Sequence, residues 1–274
     1  MILGIDIGNS NIVIGYIENC QIKGVSRIST DTSMSVKDYC IKLKSIIDND
    51  KTDPAELEGA VISSVVRPLT AVLSEAVHAI TRLEPLIVSS KLKTGLSFSA
   101  ESPEKLGCDR IADCVAAAAK YPLPIVVVDF GTATTISVVG CNSVFLGGMI
   151  APGLKMSANA LGCGTSQLPS VNLEAPKSCI GTNTSECIKS GIIHGTASMV
   201  DGMVARIEKL LCASVSVVAT GGLAQMVIPH CMRKIIHDDD LQLSGLAMIY
   251  EMNKKEYPKV QVRTEQLFLY SGES

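Results

Sequence analysis

The chain has 274 residues, with 24 Lys and Arg against 27 Asp and Glu and a formal net charge of −3. A 47% apolar composition supplies a sizeable core and excludes intrinsic disorder. A pI near 5.8 without a basic run gives no electrostatic footprint for nucleic acid, and the absence of Trp leaves little for base stacking.

Three strands open the chain as a β-meander, over residues 2–6, 11–18 and 21–29, joined by Gly-Asn-Ser and Glu-Asn-Cys turns. Apolar residues at 36, 40, 43, 46 and 47 give 35–49 helical spacing. A buried strand over 60–64 precedes a helix over 68–82, with Pro68 in the first turn where a missing N–H does no harm. A strand over 85–88 follows; 91–104, rich in Gly, Ser and Pro, reads as a loop, and 109–121 as an Ala-rich helix ending before Pro122. The pattern then restarts, with strands over 124–129, 133–139 and 143–151 and helices around 154–161 and 184–211. A strand over 215–220 runs into Gly221-Gly222, and a last helix covers 243–252.

A mean hydropathy of +0.32 raises the membrane question. The long uncharged stretches, 130–154 and 210–232, are broken by Gly pairs, Pro and polar residues, so no membrane span is expected. The first residues lack a basic segment followed by an apolar one, so the expected location is the cytoplasm. The ten cysteines contain no C-x-x-C pair, which disfavours zinc and thioredoxin-type sites, and they read as small core hydrophobes in a reducing compartment. The four histidines form no metal-binding cluster, and Asp238-Asp239-Asp240 reads as a solvated charge run.

The two meanders superimpose. Ile5-Asp6-Ile7-Gly8-Asn9-Ser10 matches Val128-Asp129-Phe130-Gly131-Thr132-Ala133, an offset of 123 residues. That is a domain's length, so two similar α/β halves are expected, 1–118 and 119–274. A carboxylate ending a buried strand before Gly and small polar residues outlines a phosphate and metal site. Glycine lets the backbone approach an oxyanion, and the turn's N–H groups point at it. Asn9, Ser10 and Asn11 add donors in the first copy, and Thr132, Thr134 and Thr135 in the second. Asp6 and Asp129 have the chemistry to hold Mg²⁺ or another cation beside phosphates. Val217–Gly222 is an apolar strand ending in Gly-Gly, which permits flat packing of a nucleotide on Gly221 and Gly222. These three elements resemble the phosphate-1, phosphate-2 and adenosine motifs of the actin-like ATPase fold, shared by sugar and acetate kinases. Asp129-Phe130-Gly131 spells a protein-kinase motif, but no H-R-D loop accompanies it, and no P-loop occurs.

Within that fold the sequence resembles the type III pantothenate kinases. The matching segments are DIGNSNIVIG (6–15), SSVVRP (63–68), TGL (94–96), GCDRIAD (107–113), DFGTATT (129–135), GGMIAPGL (147–154), ALGCGTSQLP (160–169), GTNTSECIKSGI (181–192) and ATGG (219–222). They occur in family order over nearly the whole chain. The resemblance implies two actin-like, ribonuclease H-like halves and transfer of the ATP γ-phosphoryl group to the 4′-hydroxyl of pantothenate, the first step of coenzyme A synthesis. It implies Asp109 as general base, with Gly107, Cys108, Asp109, Arg110 and Thr184 at pantothenate, Arg110 suiting the carboxylate. By residue type alone, Asp109 is equally a helix N-cap and Arg110 equally a surface helix cation, while Thr184 can cap a helix and bind substrate at once. ATP is expected at Asp6, Ile7, Gly8, Asn9, Ser10, Asn11, Ile12 and Val13 and at Thr132, with Gly221 and Gly222. Mg²⁺ is expected at Asp6 and a monovalent cation, K⁺ or NH₄⁺, at Asp129. A homodimer with a shared substrate pocket is implied, and the apolar 154–161 helix would suit it.

The sequence departs from the family pattern in places. Ser10 replaces Thr, Cys108 replaces Ala, Thr182 replaces Lys, and Ala100 stands where a Tyr is frequent. The last two bear on substrate affinity rather than phosphoryl transfer. Two other readings are a non-catalytic regulator on the same scaffold and an actin-like phosphohydrolase. The Asp6, Asp109 and Asp129 set argues against the first; the absence of a basic channel argues against the second.

Overall fold

A computed structural model describes residues 1–19, 21–50, 52–99 and 101–255. Its strands are β1 (Ile2–Ile7), β2 (Asn11–Glu18), β3 (Gln21–Ser29), β4 (Gly59–Ser64), β5 (Leu86–Ile87), β6 (Ser97–Phe98), β7 (Ile125–Phe130), β8 (Ala133–Val139), β9 (Val144–Pro152), β10 (Ser216–Thr220) and β11 (Ile236–His237). Its helices are α1 (Val36–Asn49), α2 (Arg67–Thr81), α3 (Cys108–Lys120), α4 (Leu154–Gly164), α5 (Thr184–Leu211), α6 (Ala224–Val227) and α7 (Leu241–Asn253).

One strand order occurs twice. The first sheet runs β3-β2-β1-β4-β5; the second runs β9-β8-β7-β10-β11, with β6 added beside β9. In each, an antiparallel meander is followed by two strands parallel to its first one. The repeated Asp-x-Gly sequence therefore marks a repeated mixed α/β topology.

The chain divides into two compact units, Met1–Ile87 with the described residues from Tyr250 onward, and Val88–Ile249. The seam thus lies at 87/88, where the sequence suggested 118/119. The helix that decides this is α3: its Cys114, Ala116 and Ala117 pack with Ile125, Val127 and Val139 of the second sheet. At the other end, the Tyr250 hydroxyl donates to the Glu58 carbonyl at 3.2 Å, so the end of α7 counts with the first unit.

In the first unit, Leu3, Ile5 and Ile7 of β1 and Ile12, Ile14 and Tyr16 of β2 share a face, as the two-residue period requires. They pack against Tyr39, Leu43 and Ile47 of α1 and Leu69, Leu73, Ala76 and Val77 of α2. A reciprocal Ser35–Asp38 capping box starts α1. In the second unit, β7 is buried on both faces. Val126, Val128 and Phe130 meet Ile188, Ile192, Ile193 and Ala197 of α5, while Ile125 and Val127 meet α3.

Most expected elements are present, but three sequence readings are corrected. β6 lies inside the expected loop over 91–104, and β11 and α6 follow Gly222; none is long enough to show a period. Among the nine described cysteines only Cys114 is buried, and Cys141, Cys163, Cys179, Cys187 and Cys212 are exposed at turns, helix ends or an outer helix face. Asp238 is not part of a solvated run: it accepts from Tyr121 Oη at 2.7 Å and Lys120 Nζ at 3.1 Å, tying the start of α7 to the end of α3. Cys20 and Ala100 lie outside the described residues. No described helix is long and apolar enough to cross a membrane.

Candidate active site

Asp129 is the penultimate residue of β7, and strand alternation puts it on the face that Ile125 and Val127 present to α3. Asp109 is the second residue of α3, after its N-cap Gly107 and first residue Cys108. Two carboxylates 20 residues apart in sequence are thus brought together by one strand face and one helix start. Burial, and then the charge of Asp109, hold the Asp129 carboxyl well above the ordinary carboxylate range. Asp109 is also raised, by burial, against the opposing pull of the Arg110 backbone N–H and guanidinium. That N–H donates to Asp109 Oδ1 at 2.8 Å. A cation beside Asp129 answers this environment, since a counter-charge lets a buried pair of carboxylates stay ionised. Among the described residues no group of three or more His, Cys, Asp and Glu side chains is placed to hold a metal, so such an ion would need further oxygens from its phosphate ligand.

Asp129 has Thr135 of β8 and Thr220 of β10 as its direct neighbours across the sheet. Gly221 follows Thr220 with φ +93°, and a Cβ there would collide with the Asp129 carboxylate and the Phe130 backbone. Glycine is therefore required twice over, by conformation and by close approach. The structure brings the expected adenosine and cation elements into contact at this residue. Gly222 continues the turn into α6, with nothing standing where its Cβ would be. Of the three threonines after Gly131, Thr132 is exposed, whereas Thr134 and Thr135 are sealed in β8. Of the three, Thr132 alone is exposed on the surface a ligand could reach.

Asp6 repeats the position of Asp129 at the end of β1, facing away from the Leu3, Ile5 and Ile7 cluster, with Val13 and Ser63 beside it in the sheet. Ile7 and Ile12 are buried, Val13 is half-buried, and Asn9, Ser10 and Asn11 are exposed on the turn. Gly8 N donates to Asn11 O at 3.0 Å, closing the hairpin. Thr30 fastens this turn: its hydroxyl donates to Gly8 O at 2.6 Å and its N–H to Ser10 O at 3.1 Å. The sequence reading missed Thr30, whose one signal is a hydroxyl directly after the third strand.

Arg110 extends from α3 over the second sheet, where its Nε donates to Ser137 Oγ at 3.0 Å. Thr184 opens α5, but the cap is Asn183, whose Oδ1 accepts the Glu186 N–H at 3.0 Å; the capping alternative for Thr184 is thereby removed. Thr184 lines an apolar groove of about 350 Å³ with Leu161, Leu168, Cys187, Ile188, Gly191 and Ile192, and neither Asp109 nor Arg110 belongs to that lining.

Comparison with known proteins places the chain in a family. A solved structure of a conserved protein from Campylobacter jejuni, assigned to the Baf family of transcriptional activators, aligns with TM-score 0.58 at 20% identity, covering 92% of this chain and 98% of that one. The activator of 2-hydroxyisocaproyl-CoA dehydratase from Clostridium difficile, solved with bound ADPNP, aligns with TM-score 0.54 at 16% identity, covering 95% and 97%. At these identities the likeness is one of fold, that of the actin-like ATPases. The type III pantothenate kinase of Roseiflexus castenholzii is 39% identical over 255 residues, 93% of this chain and 100% of the relative. The model of the type III pantothenate kinase family matches residues 2–206. The chain belongs to the type III pantothenate kinase family.

Proposed function

We propose that Asp109 is the general base of an ATP-dependent pantothenate kinase, the activity of the family to which the chain belongs and the first step of coenzyme A synthesis. The observation that carries the assignment is the placement of Asp109: a carboxylate fixed at a helix start, its pKa raised by burial, beside a guanidinium and next to Asp129. A base with a raised pKa accepts a hydroxyl proton more readily than an ordinary carboxylate does. As the 4′-oxygen of pantothenate forms its bond to the γ-phosphorus and the bond to ADP breaks, the hydroxyl proton passes to Asp109. Arg110 pairs with the pantothenate carboxylate, with Gly107 and Cys108 forming the adjoining wall.

The β1–β2 turn from Asp6 to Val13 cradles ATP phosphates through its N–H groups, Thr132 adds a hydroxyl, and Gly221 and Gly222 form the flat seat for the nucleoside. Asp6 would hold Mg²⁺, and Asp129 would hold K⁺ or NH₄⁺. When bound, these ions neutralise charge on the phosphates. The protein works as a homodimer in the cytoplasm. Support for the dimer comes from the family resemblance, and the apolar groove lined by Thr184, Leu161 and Leu168 is the surface offered to a second copy.

The test is incubation of the purified protein with ATP, Mg²⁺ and pantothenate, with and without K⁺ or NH₄⁺, reading 4′-phosphopantothenate by mass spectrometry. Product that depends on the monovalent cation is expected, and no product from folded protein would overturn the proposal. Sedimentation should give twice the mass of one chain; a monomer at working concentration would remove the dimer.

A further inference from the structure

The Arg110 side chain is held along its length by residues to which nothing above gives a role. The register of the second sheet puts Val127, Ser137 and Gly148 directly opposite one another on β7, β8 and β9. Arg110 lies over this row. Ser137, buried at 2% exposure inside an otherwise apolar stretch of β8, receives the Nε hydrogen bond. Phe145, at 1% exposure, presents its ring 5.5 Å from the guanidinium carbon. At Gly148 a Cβ would come within 2.6 Å of Nη2 and strike the Ile136 carbonyl, so the missing side chain makes room for the fork.

Beyond Nε, the fork ends in a buried Nη2 that makes no hydrogen bond. Nη2 is sealed on the sheet side where Gly148 leaves room for it, so Ser137 at Nε and the Gly148 gap together fix the plane of the fork. The acceptor that matches a charged planar fork is an oxyanion. Resting on the kinase reading above, we propose that Ser137 and Phe145 are positioning residues, which lock the Arg110 guanidinium in the pose from which it meets the carboxylate of pantothenate. Without them the four-bond side chain would sample several rotamers, and substrate binding would have to supply the ordering entropy. The shared chemistry is oxyanion recognition, for which the ATP γ-phosphate is the other source on hand; the γ-phosphate is treated below as an outcome.

The experiment is steady-state kinetics on wild type, Ser137→Ala and Phe145→Leu, with pantothenate and with its uncharged primary amide as acceptors. Thermal melting confirms that each variant is folded, and either variant alone carries the test. For pantothenate, KM should rise about tenfold in each variant, with kcat and the KM for ATP within twofold of wild type. For the amide, which lacks the charge, KM should be the same in wild type and variants. An equal rise for both acceptors would indicate a general packing role and overturn the proposal. So would a rise confined to the KM for ATP, or no change at all. If the wild type phosphorylates neither acceptor, the kinase reading itself fails and takes this one with it; if it phosphorylates pantothenate and the variants behave like it, only the positioning role is lost.

Discussion

Asp129 at the end of β7 lies within the electrostatic reach of Asp109 at the start of α3, and both carboxyls are held above their ordinary range with burial as the leading cause. On the roles proposed for them, the pair is a place where stability is spent on function. Each of the two negative charges opposes the fold.

Replacing Asp129 with Asn should stabilise the protein while removing activation by the monovalent cation. A carboxyl with a raised folded pKa lowers stability once it ionises, so its cost is present above the folded pKa and relieved as pH falls through it. At pH 8 the melting midpoint of Asp129→Asn should exceed that of wild type, by about 2–4 °C for each kcal/mol relieved. The gap should narrow as pH falls below about 7 and close only near the ordinary value of 3.8. A variant that melts lower at pH 8 would contradict this.

Activity should respond to acid in the opposite sense to stability. The base must be ionised, and the Asp109 pKa is raised, so kcat/KM should fall with decreasing pH at a midpoint above the ordinary Asp value of 3.8. Asp109→Asn should lose on the order of 10²–10⁴ in kcat, with the KM for ATP little changed. Full turnover in that variant would remove Asp109 from the base role.

Gly221→Ala should cost more than a surface glycine. Its φ of +93° disfavours any L side chain, by about 1–2 kcal/mol, and the added methyl meets the Asp129 carboxylate. The expected outcome is a lower melting midpoint with a weakened response to K⁺. Gly222→Ala, whose Cβ would enter open space, serves as the control for the melting midpoint.

Thr30→Val keeps the shape of the side chain and removes its hydrogen bond to Gly8. Stability should drop by about 1 kcal/mol, and the KM for ATP should rise severalfold while that for pantothenate holds. Equal changes in both would separate Thr30 from the phosphate turn.

Among the cysteines, Cys114 should resist alkylation in the native protein at pH 8, because burial and then the Asp113 charge push its thiol up to about 12. Cys141, Cys163, Cys179 and Cys212 are exposed and should label first. Peptide mapping after brief iodoacetamide treatment reads the order, and early labelling at Cys114 would contradict the packing of α3 on β7.

Strand and helix periods were legible because each is a local pattern: the two meanders, the 184–211 helix and the Asp-x-Gly repeat all reappear in the structure. The partnership of Asp109 with Asp129 was not, since it depends on which face of β7 meets α3. Two-residue strands such as β6 and β11 carry no period to read. The cysteines were misjudged for a similar reason: residue type suggests burial, but only the helix face or turn decides it. Asp238 looked solvated because its partners, Lys120 and Tyr121, are distant in sequence.

The seating of Tyr250 over Gly59 has a consequence for synthesis. A Cβ at residue 59 would overlap the Tyr250 ring, so β4 is shaped to receive a residue made 191 positions later. On the ribosome the first 87 residues emerge without that cover, and the segment from Val88 to Ile249 is made before it arrives. The part translated first is thus the part completed last, and a chain released before Tyr250 leaves Gly59 uncovered.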